Sequence, residues 1–185
     1  MSFMIVAQSL ALLLLAGAAI YTDVRTRRIP NGLALAALVS GLLFRLPDGP
    51  GSIGWGLAAA GLAFAVGFLF FLLGGLGGGD AKLMTGLATY LDPPGLLLGF
   101  LVMAFSGGIM AMVALMRRGR TRSGLRNLGM LLVSFGRQSF QGWRGESPMQ
   151  SLARPGSMAV TNPYAIAIGI GAVAGWFLTL PGRTF

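Results

Sequence analysis

The sequence predicts an all-α fold, a polytopic membrane helical bundle of about six transmembrane helices, and three observations support this. Hydrophobic residues make up 55% of the 185 residues and charged residues only 10%. The mean hydropathy of +0.75 is far above that of a solvated domain. Charge-free intervals long enough for the roughly 20 apolar residues of a membrane span cover residues 1–22, 49–79, 93–116 and 155–182. A soluble enzyme, a secreted protein and a disordered chain are therefore excluded.

The first two helices are predicted at residues 3–22 and 32–46. No Lys or Arg precedes the first apolar run, so we expect a retained first helix rather than a cleavable secretory signal. In the polar segment 23–31 that follows, Pro30 stops any continuation of the first helix and Asn31 can cap the second.

Turn signals separate the four remaining predicted helices. The sequence PDGPGS marks a turn before the third helix, and the glycine-rich segment GGLGGGD precedes a short fourth helix. The fourth helix stops before Asp92, which two prolines follow. The last helix opens with Asn162 and Pro163, a cap and a favoured first helical residue. The predicted ranges of these four helices are 53–74, 81–91, 95–116 and 163–180.

The distribution of basic residues predicts that the N-terminus lies outside. With six spans, the connections 23–31, 75–82 and 117–161 share one side of the membrane and hold three, one and eight of the 14 basic residues. Because positive residues stay on the cytoplasmic side, these three connections are expected to be cytoplasmic. The outer side keeps only Arg45 and Arg183.

The basic segment 117–161 is expected to be a cytoplasmic loop of a single membrane-embedded domain covering residues 1–185. It carries eight arginines and one acidic residue, Glu146. Apolar residues recur within it at helical spacing, which predicts a short amphipathic helix on the anionic lipids of the inner leaflet. These apolar residues are Leu125, Leu128, Leu132 and Phe135. Membrane lipids are therefore an expected partner, and a substrate-docking role is the alternative for this loop.

The composition removes several kinds of chemistry. Cysteine and histidine are both absent, which excludes a disulfide framework and the usual zinc or iron–sulfur ligands, so we expect no metal and no cofactor. The net charge of +9 lies beside apolar segments, where positive charge fixes orientation, and no nucleic-acid partner is expected. The glycine run lacks the Lys and the Ser or Thr that follow the last glycine of a phosphate-binding loop.

Two of the five acidic residues are predicted to lie at the cytoplasmic end of the bundle. Asp48 and Asp92 occupy outer turns beside proline, and Glu146 lies in the basic loop. Asp23 closes the first predicted helix and Asp80 opens the fourth, so both lie at the inner face of the membrane. Ionisable groups at the edge of the hydrocarbon are costly, which favours a functional role for this pair.

Each of these two aspartates has both a structural and a catalytic interpretation. In the structural one, Asp80 is an N-cap and Asp23 forms salt bridges with the arginines of residues 25–28. In the catalytic one, two adjacent carboxyls share a proton and act as an acid and a base. The ionised carboxyl takes a proton from water, the water attacks a peptide carbonyl, and the protonated carboxyl supports the oxyanion.

Both aspartates lie in motifs that resemble those of the GxGD-type aspartyl prepilin peptidases. The segment GGGDAKLM matches the GxGD signature and contains Gly77, Gly78, Gly79, Asp80 and Lys82. The segment DVRTRRIPN, which begins at Asp23, looks like the first aspartate motif of that family. Pro163 and Tyr164 are similar to a further, looser family pattern. The resemblance covers roughly residues 20–92 and 160–175.

The resemblance implies an integral-membrane aspartic endopeptidase with Asp23 and Asp80 as the catalytic pair. Gly77, Gly78, Gly79 and Lys82 would form the active-site loop. The implied substrates are type IV (Flp-like) prepilins or pseudopilins, whose leader peptides are cleaved at the cytoplasmic face of the bacterial inner membrane during pilus assembly. The chain has no cysteine and no room for a large insert, so it resembles the short tight-adherence members, and N-methyltransferase activity is not expected.

Two alternative functions remain open at this point, and so does the oligomeric state. The chain could be a non-enzymatic membrane channel or assembly subunit whose aspartates are structural. It could also cleave other membrane proteins by the same GxGD chemistry. Gly171 and Gly175 form a G-x-x-x-G pair, which fits either a homo-oligomer interface or packing within the bundle.

Overall fold

The computed structural model describes residues 2–72, 76–117 and 164–180, and every regular element in these ranges is helical. The all-α prediction is therefore confirmed. The elements are α1 (Ser2–Thr26), α2 (Asn31–Arg45), a short 3-10 helix (Leu46–Asp48), α3 (Pro50–Leu72), α4 (Gly78–Ala88), α5 (Pro93–Arg117) and α6 (Tyr164–Leu178).

Three helices are long and apolar enough to cross a membrane, which agrees with a membrane-embedded bundle. These candidate spans are Phe3–Thr26, Pro50–Leu72 and Pro93–Val113, and α6 is a shorter apolar helix. α2 and α6 have 15 residues each and α4 has 11. At about 1.5 Å per residue, α2 and α6 are each about 22 Å long and α4 is about 16 Å long, whereas the hydrocarbon core is about 30 Å thick. The six crossings and the outside position of the N-terminus stay predictions.

The first helix is longer than predicted. It continues to Thr26 instead of ending at residue 22, so Asp23 lies within its last turn and not in a polar turn. Arg27 then adopts a left-handed backbone (φ 51°), while its N–H still donates to the Asp23 carbonyl at 2.8 Å. This geometry is typical of the residue that follows a helix C-terminus.

Other helix starts also differ from the predicted ones. Asn31 is the first residue of α2 and does not cap it; Pro30 occupies the capping position. Pro50 and Pro93 begin α3 and α5, although both were assigned to turns, because proline fits the first turn of a helix. The fourth helix begins at Gly78, three residues earlier than predicted, so the glycine run forms part of its first turn.

The chain separates into two compact units. The first comprises residues 1–107 and 163–185, and the second comprises residues 108–162. In the second unit, only the end of α5 belongs to the described residues. The predicted amphipathic helix of the 117–161 loop and the cap at Asn162 lie outside them, and the single-domain assignment stays a prediction.

Helix α4 is the buried centre of the first unit. It contacts α2, α3 and α6, and Leu83, Met84 and Leu87 on it are at most 4% exposed. Helix α2 approaches it closely at Gly86, where an added Cβ would lie 2.7 Å from the carbonyl oxygen of Ala34. This packing through a small residue is common between membrane helices, and it explains how so short a helix fits inside the bundle.

Small residues also join α5 to α6. A Cβ on Gly171 would lie 2.5 Å from the carbonyl oxygen of Gly99, and Gly95 lies equally close to Gly175. The G-x-x-x-G pair of α6 therefore packs within the chain. The homo-oligomer prediction receives no support from this pair.

Arg45 joins α2 to the α4–α5 turn at the end of the bundle opposite to the start of α4. Arg45 is 7% exposed, and its guanidinium donates to the carbonyls of Thr89 (2.6 Å) and Leu91 (2.8 Å) and to the carboxylate of Asp92 (3.0 Å). Carbonyls beyond a helix C-terminus lack intrahelical partners, and Arg45 supplies donors to two of them after α4. The contact fixes the end of α2 against the α4–α5 turn.

Candidate active site

The C-terminus of α1 and the N-termini of α4 and α6 meet at one end of the first unit. Asp23, in the last turn of α1, is 8% exposed, and its Oδ2 accepts the backbone N–H of Ala165 at 3.2 Å. Ala165 lies in the first turn of α6. A helix N-terminus carries partial positive charge, so α6 offsets the unfavourable position of Asp23 at the negative end of α1.

The predicted salt bridges of Asp23 are not present among the described residues. Arg25 instead donates to the Tyr21 hydroxyl at 2.5 Å and lies over the Tyr21 ring. The one ion pair between described side chains is that of Arg45 with Asp92. The carboxylate of Asp23 is therefore held by the Ala165 N–H and the α6 dipole, and none of the arginines in the described ranges pairs with it.

Asp80 occupies the third position of α4 and is not its N-cap, contrary to the structural interpretation of this residue. Gly77 is the capping residue, and its N–H donates to Oδ2 of Asp80 at 3.1 Å. This bond is the half of a capping box that a third-position acid supplies. The other carboxyl oxygen, Oδ1, is buried and has no hydrogen-bond partner among the described residues. One oxygen thus stabilises the helix start, and no described group engages the other.

The carboxyl of Asp80 has a strongly perturbed pKa. Asp80 lies outside the three candidate spans, and its pKa is raised from the ordinary 3.8 to about 6. Burial is the largest cause, the hydrogen bond from Gly77 opposes it, and the negative charge of Asp23 raises the pKa further. The two carboxyls therefore interact electrostatically across the junction of α1 and α4.

Tyr164 belongs to the same junction. It is the first residue of α6 and is followed by Ala165, whose N–H donates to Asp23. The sequence motifs associated this position with the family but gave it no place in the site. The backbone N–H of Ala165 carries no sequence signal, because any residue other than proline presents one.

The residues Gly77, Gly78 and Gly79, here called the glycine loop, lie next to the turn that follows α1. A Cβ on Gly79 would lie 3.3 Å from Cβ of Ile29, and one on Gly78 would lie 3.6 Å from the Phe71 ring. Gly77 and Gly78 are themselves exposed. The absence of side chains therefore allows the loop to approach the α1–α2 turn while its backbone stays accessible.

Lys82, predicted to belong to the active-site loop, points elsewhere. Its ammonium donates to Oδ1 of Asn31 at 3.0 Å, and it lines a groove together with residues of α2 and α3. Asp80 instead interacts with groups of α1 and α6. In residues 2–72, 76–117 and 164–180, no three acidic, His or Cys side chains come together as a metal-ligand set.

Comparison with known families adds an independent result. The sequence profile of the type IV leader peptidase family matches residues 10–112, which is more than half of the chain and includes both aspartates. The chain belongs to this family. The family predicted from the two motifs is thus confirmed, and this type IV leader peptidase is a membrane-embedded protease of the prepilin-processing kind. No curated protein and no solved structure matches it significantly.

Family membership favours the peptidase prediction over the non-enzymatic channel or assembly subunit. The matched region ends within α5, so α6 lies outside it. In this leader peptidase, the N-terminus of α6, which contacts Asp23, therefore comes from a part of the chain that the family profile does not cover.

Proposed function

We propose that this leader peptidase is an aspartic endopeptidase in which Asp23 and Asp80 are the catalytic pair. Its substrates in this proposal are type IV (Flp-like) prepilins or pseudopilins, cleaved at the cytoplasmic face of the bacterial inner membrane. The observation that carries the proposal is the raised pKa of Asp80, to which the Asp23 charge contributes, together with Oδ1 of Asp80, for which no described residue supplies a hydrogen bond. Perturbed carboxyl pairs of this kind are what acid–base hydrolysis requires.

The two carboxyls have different roles in the proposed reaction. In the reactive form Asp80 carries the shared proton, which its raised pKa favours, and Asp23, held by the N–H of Ala165, acts as the base. Asp23 takes a proton from a water molecule, whose oxygen then bonds to the scissile carbonyl carbon. Asp80 donates its proton to the developing oxyanion. The carbon–nitrogen bond then breaks as the leaving amine takes up the proton held by Asp23. One hydroxyl of the diol returns its proton to Asp80, which leaves a carboxylic acid product and restores both carboxyls to their starting states.

The glycine loop is the proposed surface for the substrate backbone. Gly77 and Gly78 are exposed beside Asp80, and a loop without side chains allows an extended segment to approach closely. A leader peptide bound there would lie beside the carboxyl of Asp80. The chain has no cysteine, and we propose that it lacks the N-methylation activity associated with Cys-rich inserts in larger members.

The test is co-expression of the chain with a Flp-type prepilin, followed by immunoblotting of precursor and mature pilin. Asp23→Asn and Asp80→Asn should each reduce the processing rate by at least about 100-fold, the lower range for loss of an acid–base group. Asp48→Asn is the matched control, because Asp48 is exposed in the 3-10 helix and should leave processing unchanged. Full processing by either active-site variant would reject the assigned pair.

Sequencing of the mature pilin addresses the substrate and the modification. Cleavage after a glycine, with an unmethylated new N-terminus, is the expected product. A processed protein other than a pilin, found by comparing the N-termini of membrane proteins with and without the enzyme, would replace the Flp-type assignment while leaving the catalytic pair intact.

A further inference from the structure

A groove of about 340 Å³ lies between α2, α3 and α4, on a different side of α4 from the carboxyl of Asp80. Its apolar lining consists of Ala34, Leu35, Leu38 and Phe64. Polar groups come from Asn31 and Lys82, with Thr85 beside them. The proposed peptide chemistry uses none of these residues.

The groove is polar at one end and apolar along its length. Residues 31, 34, 35 and 38 recur at helical spacing, so a single face of α2 forms one wall. Asn31 begins α2 and Lys82 lies one turn into α4, so both are at the active-site end of the bundle. Leu38 is seven residues further along α2, or about 10 Å deeper. A charged edge above an apolar slot of this depth is an amphipathic site.

The ammonium of Lys82 uses only one of its N–H groups in a hydrogen bond with the described residues. It carries three N–H groups, and its one hydrogen bond among the described residues goes to the neutral Asn31. No described carboxylate pairs with it, since the one described ion pair is Arg45 with Asp92. An exposed cation without an anionic partner at a membrane edge attracts lipid phosphate.

We propose that the α2–α3–α4 groove binds one anionic phospholipid, with its phosphate on Lys82 and Asn31 and an acyl chain against Leu35, Leu38 and Phe64. The positive charge at the polar end complements the headgroup, and the apolar walls complement the chain. The site is distinct from the catalytic junction and does not depend on the proposed reaction.

The dimensions favour a lipid over the hydrophobic helix of a substrate. Over about 10 Å of apolar length, a volume of about 340 Å³ corresponds to a mean cross-section of about 34 Å², less than half the roughly 80 Å² of a helix about 10 Å wide. A single acyl chain is much narrower than a helix with its side chains. A peptide bound there would also have to turn around the start of α4 to reach Asp80.

Native mass spectrometry of the full chain, released from nanodiscs of mixed phosphatidylglycerol and phosphatidylcholine, tests the proposal. The wild type should retain one phosphatidylglycerol in preference to phosphatidylcholine. Lys82→Ala should lower that preference about fivefold, which corresponds to about 1 kcal/mol per basic residue at an anionic surface. Asn31→Asp keeps the shape of the groove but neutralises Lys82, and it should lower the preference similarly. Lys82→Arg should retain it.

Arg25→Ala is the matched control, because Arg25 is an exposed cation on the last turn of α1 that does not line the groove. It should leave retention within twofold of the wild type. Equal retention of the two lipids by the wild type, or an equal loss in Arg25→Ala and Lys82→Ala, would overturn the proposal. Stoichiometric displacement of the lipid by a peptide of the prepilin hydrophobic segment would assign the groove to substrate instead.

Discussion

Replacing Asp80 by Asn should stabilise the protein at neutral pH while abolishing peptidase activity. The carboxyl of Asp80 has a pKa of about 6 in the folded chain and an ordinary value of 3.8. Below pH 3.8 the carboxyl is protonated in both the folded and unfolded states. Between 3.8 and 6 the folded state binds more protons, so stability falls as pH rises, and above 6 the full cost of ionisation is present.

The size of this cost follows from the shift. A difference of about 2 units corresponds to about 3 kcal/mol. Asp80 is only partly buried, so solvent screening reduces this to about 1–2 kcal/mol. Asn removes the charge but still offers an oxygen to the N–H of Gly77. For a chain of this length, the gain corresponds to a Tm increase of about 3–6 °C.

Thermal unfolding of the purified protein in detergent, at one scan rate and at pH 7.5 and 4.5, measures the effect. Asp80→Asn should raise Tm at pH 7.5, and the gain should shrink at pH 4.5, where the wild-type carboxyl is already neutral. Asp48→Asn, a change in an exposed acid, should shift Tm by less than about 2 °C at either pH. If Asp80→Asn lowered Tm equally at both pH values, Asp80 would be a capping residue and not a desolvated acid.

Two further predictions concern the packing around α4. Gly86→Ala should cost about 1–3 kcal/mol in thermal unfolding, because the new Cβ would lie 2.7 Å from the Ala34 carbonyl oxygen, whereas Gly61→Ala, which meets nothing within 4 Å, should be neutral or slightly stabilising. Equal effects of the two substitutions would contradict the close approach of α2 and α4. Arg45→Ala should cost about 2–3 kcal/mol because two buried carbonyls lose their donor, while Asp92→Ala should cost less than 1 kcal/mol because that carboxylate is 59% exposed. A larger loss from Asp92→Ala than from Arg45→Ala would show that the ion pair dominates this contact.

The sequence predicted the helical class, the family and the approximate place of each described helix, because these follow from apolar length and from local motifs. The predicted helix boundaries were wrong where a residue type, such as proline or glycine, is common both in turns and at helix starts. The sequence predicts turns at Pro50 and Pro93, but these residues begin α3 and α5. It also predicts a loop for the whole glycine run, although Gly78 and Gly79 belong to α4.

The surroundings of the two aspartates could be predicted only in part. The motifs indicated Asp23 and Asp80, but the groups that hold them depend on the tertiary structure. Ala165 donates to Asp23 from 142 residues away, and Asn31 takes Lys82 away from the loop assigned to it. The contact of Arg45 with the α4–α5 turn could not be predicted either, because two of its partners are backbone carbonyls whose position no side-chain pattern records.

The backbone donor from α6 has a consequence for how this peptidase can be shortened. A fragment ending where the family profile ends, at residue 112, would keep both acidic side chains, yet Asp23 would lose its one anchoring amide and the dipole behind it. Supplying residues 164–180 as a separate polypeptide should then restore more function than any lengthening of the fragment that stops short of them. A shortened version of the enzyme should therefore keep the N-terminus of α6 as well as the two aspartates.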